Sequence, residues 1–250
     1  MTEAAIERAR AAIHAASRIV ALTGAGISTP SGIPDFRSPM SGMWNNEDPA
    51  VVASLRMFKR DPQPFYRWIA PHIATILEAE PNPAHRALAE LERRGKLQAI
   101  VTQNIDGLHQ KAGSRTVYEL HGHLRTASCI QCGQSWPTAE HLATAQQGSV
   151  PRCTCGGAIK PDLVLFDELL PIDSWQRAEA TVRQCDLLIV AGTGLEVYPV
   201  ADLPELALQH GAQLIVVNYT PTWADRQALA VIRDDVAVAL PQIVGDPEAE

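Results

Sequence analysis

The sequence predicts an α/β fold: a parallel sheet covered by helices on both faces. Three observations predict it. Short, nearly continuous apolar runs alternate with amphipathic helical patterns, as buried parallel strands require. Glycine, asparagine or histidine stands where run after run ends. Two stretches, 39–75 and 124–160, break this rhythm, and the second holds four of the five cysteines.

The first segment is helical, because Ile6, Ala9, Ile13 and Ala16 recur on one face. The strand Arg18–Leu22 follows and meets Gly24-Ala25-Gly26. A Gly-X-Gly turn after a buried strand brings backbone N–H groups to a pyrophosphate. The third glycine of a dehydrogenase fingerprint is missing, since Thr29 takes its place. A polar, proline-interrupted loop continues to Asp35-Phe36-Arg37 instead of entering a helix. Asn82-Pro83 supplies an N-cap and first helical position, Leu88 and Leu91 an apolar stripe, and Gly95 a stop. Leu97–Val101 is a strand opening into Gln103-Asn104-Ile105-Asp106. Thr116–Leu120 is another, ending at His121-Gly122. Ser174–Gln184 reads as a helix capped by Asp173 or Ser174, and Leu187–Ala191 as a strand ending in Gly192-Thr193-Gly194. Leu203–Gln209 is helical with Pro204 in its first turn, and Leu214–Val217 is a strand ending at Asn218. Residues 39–75, with five prolines and the aromatics Trp44, Phe58, Phe65, Tyr66 and Trp68, read as short helices forming a cap.

The 250 residues are 46% hydrophobic and 20% charged, ordinary for a packed globular protein. A net charge of −7 with no basic run argues against a nucleic-acid partner. No apolar run approaches the ~18 residues of a membrane span. The first residues, MTEAAIERAR, hold no apolar signal core, so the expected location is cytoplasmic. Cys129-Ile-Gln-Cys132 and Cys153-Thr-Cys155 then read as a metal site rather than disulfides. Four thiolates close a tetrahedral, structural zinc site. Cys185, apart from the cluster, is a small core residue.

In an open α/β sheet, ligands bind outside the carboxyl ends of the strands. Five polar strand ends therefore point to one nucleotide crevice. Of eight histidines, His121 follows a strand directly and is suited to general-base work near neutral pH. His109 and His123 serve structure beside the crevice. His14, His72, His85, His141 and His210 lie in helical or polar surroundings and take no role.

Together these residues resemble the sirtuins, NAD-dependent protein-lysine deacylases of bacterial or archaeal type. The matching stretches are GAGISTPSGIPDFR at 24–37, TQNIDGLH at 102–109, His121-Gly122, the four cysteines, KPDLVLFDE at 160–168, GTGLEVYP at 192–199 and Val217-Asn218. The resemblance implies a Rossmann-like domain (1–38, 76–123 and 161–250) and a small domain built from a helical cap (39–75) and a zinc-binding module (124–160). It places Gly24, Ala25, Gly26, Ser28, Asp35, Phe36 and Arg37 in the NAD loop. Gln103, Asn104, Ile105 and Asp106 would surround the nicotinamide ribose and carboxamide. Gly192, Thr193 and Gly194 would meet the phosphates, and Asn218, Tyr219 and Asp235 the adenosine end. Val164 and Phe166 would flank the acyl-lysine, and Glu196-Val197 would pair with the substrate backbone as an added strand. The implied catalytic residues are His121, Asn104 and Asp106. NAD would be consumed as a co-substrate, with lysine, nicotinamide and O-acyl-ADP-ribose as products, and one zinc ion would be structural. The implied partners are acyl-lysine proteins, with no nucleic acid and no membrane.

Three positions depart from the family pattern. Asp167 stands in place of glycine, Gly194 in place of serine, and the second cysteine pair is C-x-C. Sirtuins favouring succinyl or malonyl groups carry Tyr-x-x-Arg in the cap. Here Tyr66 is followed by Arg67, Trp68 and Ile69, so uncharged acyl groups are expected. A protein mono-ADP-ribosyltransferase and a non-catalytic NAD or zinc interaction protein are the alternatives. A dehydrogenase lacks its ribose-binding acidic residue ~20 positions beyond the glycines.

Overall fold

The computed structural model describes residues 3–35, 42 and 48–245. Six parallel strands form the main sheet: β1 (Ile19–Thr23), β2 (Leu97–Thr102), β3 (Val117–Glu119), β7 (Leu187–Ala191), β8 (Gln213–Val217) and β9 (Ala230–Ile232). Their spatial order is β3-β2-β1-β7-β8-β9. Counting only parallel strands, this is the doubly wound order 3-2-1-4-5-6, with its reversal between β1 and β7.

The apolar runs are continuous because both sheet faces are covered. Ile19 and Ala21 pack into one core with Ile6 of α1 (Glu3–Ala15), Leu88 of α5 (Pro83–Arg93) and Leu240 of α10 (Val236–Val244). Val20 and Leu22 point the other way, toward Val182 of α8 (Ile172–Val182) and Leu203 of α9 (Leu203–Gln209). Alternate residues of one strand thus feed two cores.

Asn82 and Pro83 cap α5 as expected, and the His85 ring completes a reciprocal cap. His85 lies in this helix, as expected, and is wholly buried. Helix α8 begins at Ile172, two residues before the expected start, with Pro171 rather than Asp173 or Ser174 in the cap position. The strand β9 and the helix α10 carry no expectation from the sequence reading: β9 is only three residues long, and α10 contains Pro241.

The cap holds α2 (Pro49–Val52), α3 (Leu55–Arg60) and α4 (Gln63–Glu78). Helix α4 runs for 16 residues through Pro71, so the cap is not made of short helices alone. Residues 122–163 carry a three-stranded antiparallel sheet in the order β5-β4-β6: β4 (Gly122–Cys129), β5 (Ser135–Pro137) and β6 (Ile159–Leu163). Its sequence shows little periodicity because β5 is short and exposed and the cysteine turns interrupt the pattern. Phe65, Tyr66 and Ile69 of α4 share a core with Leu124, Ala145 of α7 (Leu142–Gln146) and Leu163. The Tyr66 hydroxyl donates to the Ile159 carbonyl at 2.6 Å, tying cap to ribbon.

Candidate active site and metal centre

The loops after β1 and β7 meet at the reversal of strand order. After β1 the chain makes two 3-10 turns, Ala25–Ile27 and Thr29–Ser31, with no α-helix before Pro49 among the described residues. The Gly26 N–H donates to the Gly192 carbonyl at 2.9 Å. A Cβ on Gly24 would sit 2.7 Å from the Thr193 Cβ, and one on Gly26 2.9 Å from the Gly192 Cα. A Cβ on Gly192 (φ +63°) would lie 2.3 Å from the Ile27 nitrogen. These glycines let the two loops touch. Approach to a phosphate was the reason read from sequence, and close packing of loop on loop is the reason visible in the fold.

A polar cluster closes the ends of β1 and β2. Asn104 Nδ2 donates to Ser28 Oγ at 3.0 Å, and Ser28 Oγ donates to Asp106 Oδ2 at 2.7 Å. Asp106 Oδ1 accepts the Leu108 N–H at 2.9 Å. Burial raises the Asp106 pKa, while the Leu108 N–H and the Ser28 hydroxyl oppose the rise. Gln103 Nε2 donates to Thr193 Oγ1 at 3.0 Å, joining the β2 and β7 loops. Behind them, Thr23 Oγ1 contacts Thr102 Oγ1 and His109 Nε2, both at 2.9 Å, and the His109 ring lies 4.9 Å from that of His85. Sequence reading gave Thr23 no part and Thr102 only a place in the matching stretch 102–109; a threonine ending each of two apolar strands was the further signal. Ala25 and Asp35 are half-buried on this loop, and Ile105 joins the cap core by its side chain. Phe36, Arg37 and Trp44 lie outside the described residues.

His121 stands between β3 and β4. Its Nδ1 lies 3.1 Å from the Gln103 carbonyl, which accepts an Nδ1–H and leaves Nε2 as the basic nitrogen. Burial lowers its pKa from the ordinary 6.5, and the Gln103 bond partly offsets that. The His121 carbonyl accepts the Val164 N–H at 2.8 Å. Gly122 (φ +71°) is required for this placement: a Cβ there would lie 2.2 Å from the Asp162 carbonyl oxygen. The glycine therefore permits the close approach of β6.

Val164 is half-buried and Phe166 is exposed in the loop beyond β6. Phe166 bridges to Ser54, with the Leu55 N–H donating to the Phe166 carbonyl at 2.8 Å. Asp167 adopts φ +65°, a left-handed conformation that glycine enters freely and aspartate tolerates. The turn is closed by the Glu168 N–H donating to the Leu165 carbonyl at 3.1 Å. Buried Lys160 anchors it: Nζ donates to the Leu163 carbonyl at 2.6 Å and to Glu168 Oε2 at 3.1 Å. This anchor was not singled out from sequence, although the pair brackets Val164 and Phe166. Glu196 is exposed and Val197 half-buried in a segment without strand structure. Gly194 is exposed beside Glu196. Asn218 Nδ2 donates to the Thr220 carbonyl at 2.9 Å, so its amide shapes the turn after β8. Tyr219 beside it is exposed, and Asp235 Oδ1 caps α10 by accepting the Ala237 N–H at 2.7 Å.

The sulfurs of Cys129, Cys132, Cys153 and Cys155 all lie within 4.8 Å of one another. Cys129 and Cys155 are 3.5 Å apart and Cys132 and Cys153 3.7 Å. These separations exclude disulfides. Tetrahedral zinc with Zn–S of about 2.3 Å sets its sulfurs about 3.8 Å apart, so the set fits that ion. The backbone N–H groups of Cys132 and Gln131 hold the Cys129 thiol down to about 6, while the neighbouring sulfurs push Cys155 up to about 12. Gly156 (φ +89°) turns the C-x-C pair, and a Cβ on Gly157 would strike the Cys129 sulfur at 2.6 Å. Cys185 is buried in the sheet core.

A family model described as the Sir2 family matches residues 24–199. The chain is 43% identical over 226 residues to an NAD-dependent protein deacetylase of Sulfolobus acidocaldarius, covering 90% of this chain and 88% of that protein. It is 46% identical over 222 residues to an NAD-dependent protein deacylase of Thermus thermophilus, covering 87% and 85%. A solved structure described under the mechanism and regulation of Sir2 enzymes superposes with a TM-score of 0.91 at 42% identity, over 97% of both chains. A Sir2 structure with a deacetylated p53 peptide and 3′-O-acetyl ADP-ribose superposes with a TM-score of 0.91 at 37% identity, over 95% of this chain and 96% of that one.

Proposed function

The chain belongs to the Sir2 family, and from that premise we propose how its residues divide the work of an NAD-dependent protein deacylase. It removes acyl groups from protein lysines and transfers them to ADP-ribose. NAD supplies a ribose whose bond to nicotinamide is broken, and a zinc ion held by the four cysteines supports the small domain.

The observation carrying the division of labour is the run of contacts along the loop after β2: the His121 ring bonds the Gln103 carbonyl, and the next residue, Asn104, joins Ser28 and Asp106 in one polar cluster. His121 Nε2 is the general base that takes a ribose hydroxyl proton. Asn104 and Ser28 orient the sugar, and Asp106 with the Ile105 backbone holds the carboxamide. Gly24, Ala25, Gly26, Gly192, Thr193 and Gly194 line the phosphate path, with Asn218, Tyr219 and Asp235 toward the adenosine end. Asp35, Phe36 and Arg37 close the loop and keep water from the sugar. Val164 and Phe166 flank the acyl-lysine, and Glu196-Val197 pairs with the substrate backbone. The Val197 carbonyl accepts the Ala201 N–H at 2.9 Å, which fixes the segment that follows Glu196.

Uncharged acyl groups are the preferred substrates. Tyr66 is buried with its hydroxyl on the Ile159 carbonyl, and buried Ile69 stands three residues on, so the position that would carry the arginine of Tyr-x-x-Arg offers no cation to an acyl carboxylate. We assign residues 1–38, 76–123 and 161–250 to the NAD-binding domain and 39–75 with 124–160 to the small domain. No helix among the described residues is long and apolar enough to cross a membrane; we place the activity in the cytoplasm on acyl-lysine proteins.

The test is mass spectrometry of a reaction holding NAD and an acetyl-lysine peptide. O-acetyl-ADP-ribose, nicotinamide and free lysine are expected in equal amounts. ADP-ribose attached to the peptide with the acetyl group retained would instead establish the mono-ADP-ribosyltransferase. Turnover of a succinyl peptide as fast as the acetyl peptide would overturn the acyl preference.

A further inference from the structure

A second groove lies away from the nucleotide crevice, between the C-terminal end of α3 and the cysteine turns. It encloses about 380 Å³ and is lined by Lys59, Arg60 and Pro62 on one side and by Ile130, Arg152 and Gly156 on the other. Three exposed cations therefore face one cleft in a chain whose net charge is −7. None of the three is paired with a carboxylate among the described residues, and the groove lining holds no acidic side chain. Asp61, next in sequence to Arg60, turns its carboxylate to the Gln63 N–H at 3.0 Å. Ile130, 38% exposed, adds apolar surface between the charges.

We propose that this groove is an exosite for an acidic segment of the acyl-lysine substrate protein. The inference rests on the deacylase reading above. Charge complementarity selects the occupant, because three unpaired cations around an apolar contact suit carboxylates interspersed with apolar residues. The size of the groove limits it to a short peptide segment, whereas a nucleic acid needs a longer basic track.

Helix α3 also sets the distance. Its start adjoins Ser54, which bridges to Phe166, and its end carries Lys59 and Arg60. Six helical residues span about 9 Å. An extended peptide covers that in roughly three residues. Acidic residues about three to six positions from the acyl-lysine would therefore reach the groove while the acyl group occupies the site beside Phe166.

The experiment compares acetyl-lysine peptides carrying an acidic, neutral or basic tail on either side, with the wild type, a Lys59→Gln/Arg60→Gln variant and a Lys59→Glu/Arg60→Glu variant. Binding of the non-acetylated acidic peptide is read separately by fluorescence anisotropy, so the groove is tested without turnover. The acidic tail should lower KM about tenfold at low salt with kcat unchanged. The benefit should shrink to two- or threefold at 0.3 M salt, where the charges are screened. The glutamine pair should remove the benefit and the glutamate pair should make the basic tail the better substrate, with turnover of the neutral peptide unchanged. Equal KM for all three tails and no anisotropy signal would overturn the exosite while leaving the deacylase intact. Zinc loss from the glutamine variant would overturn it too, by showing that the cations serve the thiolate cluster. An oligonucleotide displacing the acidic peptide at lower concentration would assign the groove to nucleic acid. Failure of every peptide to lose its acetyl group, with the acidic peptide still bound, would instead overturn the deacylase reading.

Discussion

At the scale of the residue, His121 and Gly122 carry the sharpest consequences. The Gln103 carbonyl fixes the Nδ1 proton, so Nε2 keeps its lone pair, as the proposed general base requires. Because burial depresses this pKa, the neutral base persists to lower pH than a free imidazole allows. The acid limb of kcat/KM should therefore fall below 6.5, and His121→Ala should lower kcat by about 10²–10⁴-fold with the melting temperature unchanged. A pH-rate profile beside a thermal melt checks both. Gly122→Ala meets the Asp162 carbonyl as well as an unfavourable φ, and should cost more than about 2 kcal/mol. Gly32 also has positive φ (+86°), but open space surrounds it, so Gly32→Ala should cost only about 1 kcal/mol. Urea titrations of the two variants separate conformational strain from collision. Sequence reading singled out His121-Gly122 by its place after a strand, and the packing of Gly122 against Asp162 is a contact that only the fold shows.

At the scale of the element, the loop that holds Phe166 depends on β6. Lys160 reaches from that strand to the Leu163 carbonyl and to Glu168, and Glu168 also accepts the Leu165 N–H at 3.0 Å. Lys160→Met leaves a largely buried carboxylate and a carbonyl without their cation, costing about 2–4 kcal/mol. It should also raise the peptide KM more than the NAD KM, which steady-state kinetics in each substrate will show. The ribbon depends on its metal in the same way. Sheet β5-β4-β6 contributes few apolar residues of its own around the cysteines, namely Ala127, Ile159 and half-buried Trp136. One zinc per chain is expected by metal analysis. Chelation should lower the melting temperature and abolish turnover, with recovery on zinc addition. The cysteine spacing made this centre legible, because few other arrangements place four thiols so close in sequence. The surrounding sheet was not legible, since its strands pair across the intervening cysteine turns and only β4 is long.

At the scale of the whole molecule, acid stability follows from histidines buried without charge. Burial, with the charge of Arg86, pushes His85 down to about 4, and burial beside His85 pushes His109 well below its ordinary value. Below pH 6.5 the unfolded chain binds protons that the folded chain refuses, so unfolding becomes easier as pH falls from about 6.5 to about 4. His85 alone should contribute a loss of roughly 3 kcal/mol across that window. Chemical denaturation at several pH values, with His85→Asn flattening the slope, checks it. The sequence by itself determined the parallel sheet covered on both faces and the four-cysteine cluster suited to a metal. Each of these is written in local periodicity or short spacing, and both sheet faces demand apolar residues at every strand position. The motifs likewise carried the family and its NAD chemistry. Only the tertiary structure decided why Gly24, Gly26 and Gly192 must lack side chains, what holds the Phe166 turn, and that α3 and the cysteine turns enclose a basic groove. Those facts are contacts between segments far apart in the chain, and no local pattern of residue types records which surfaces will meet.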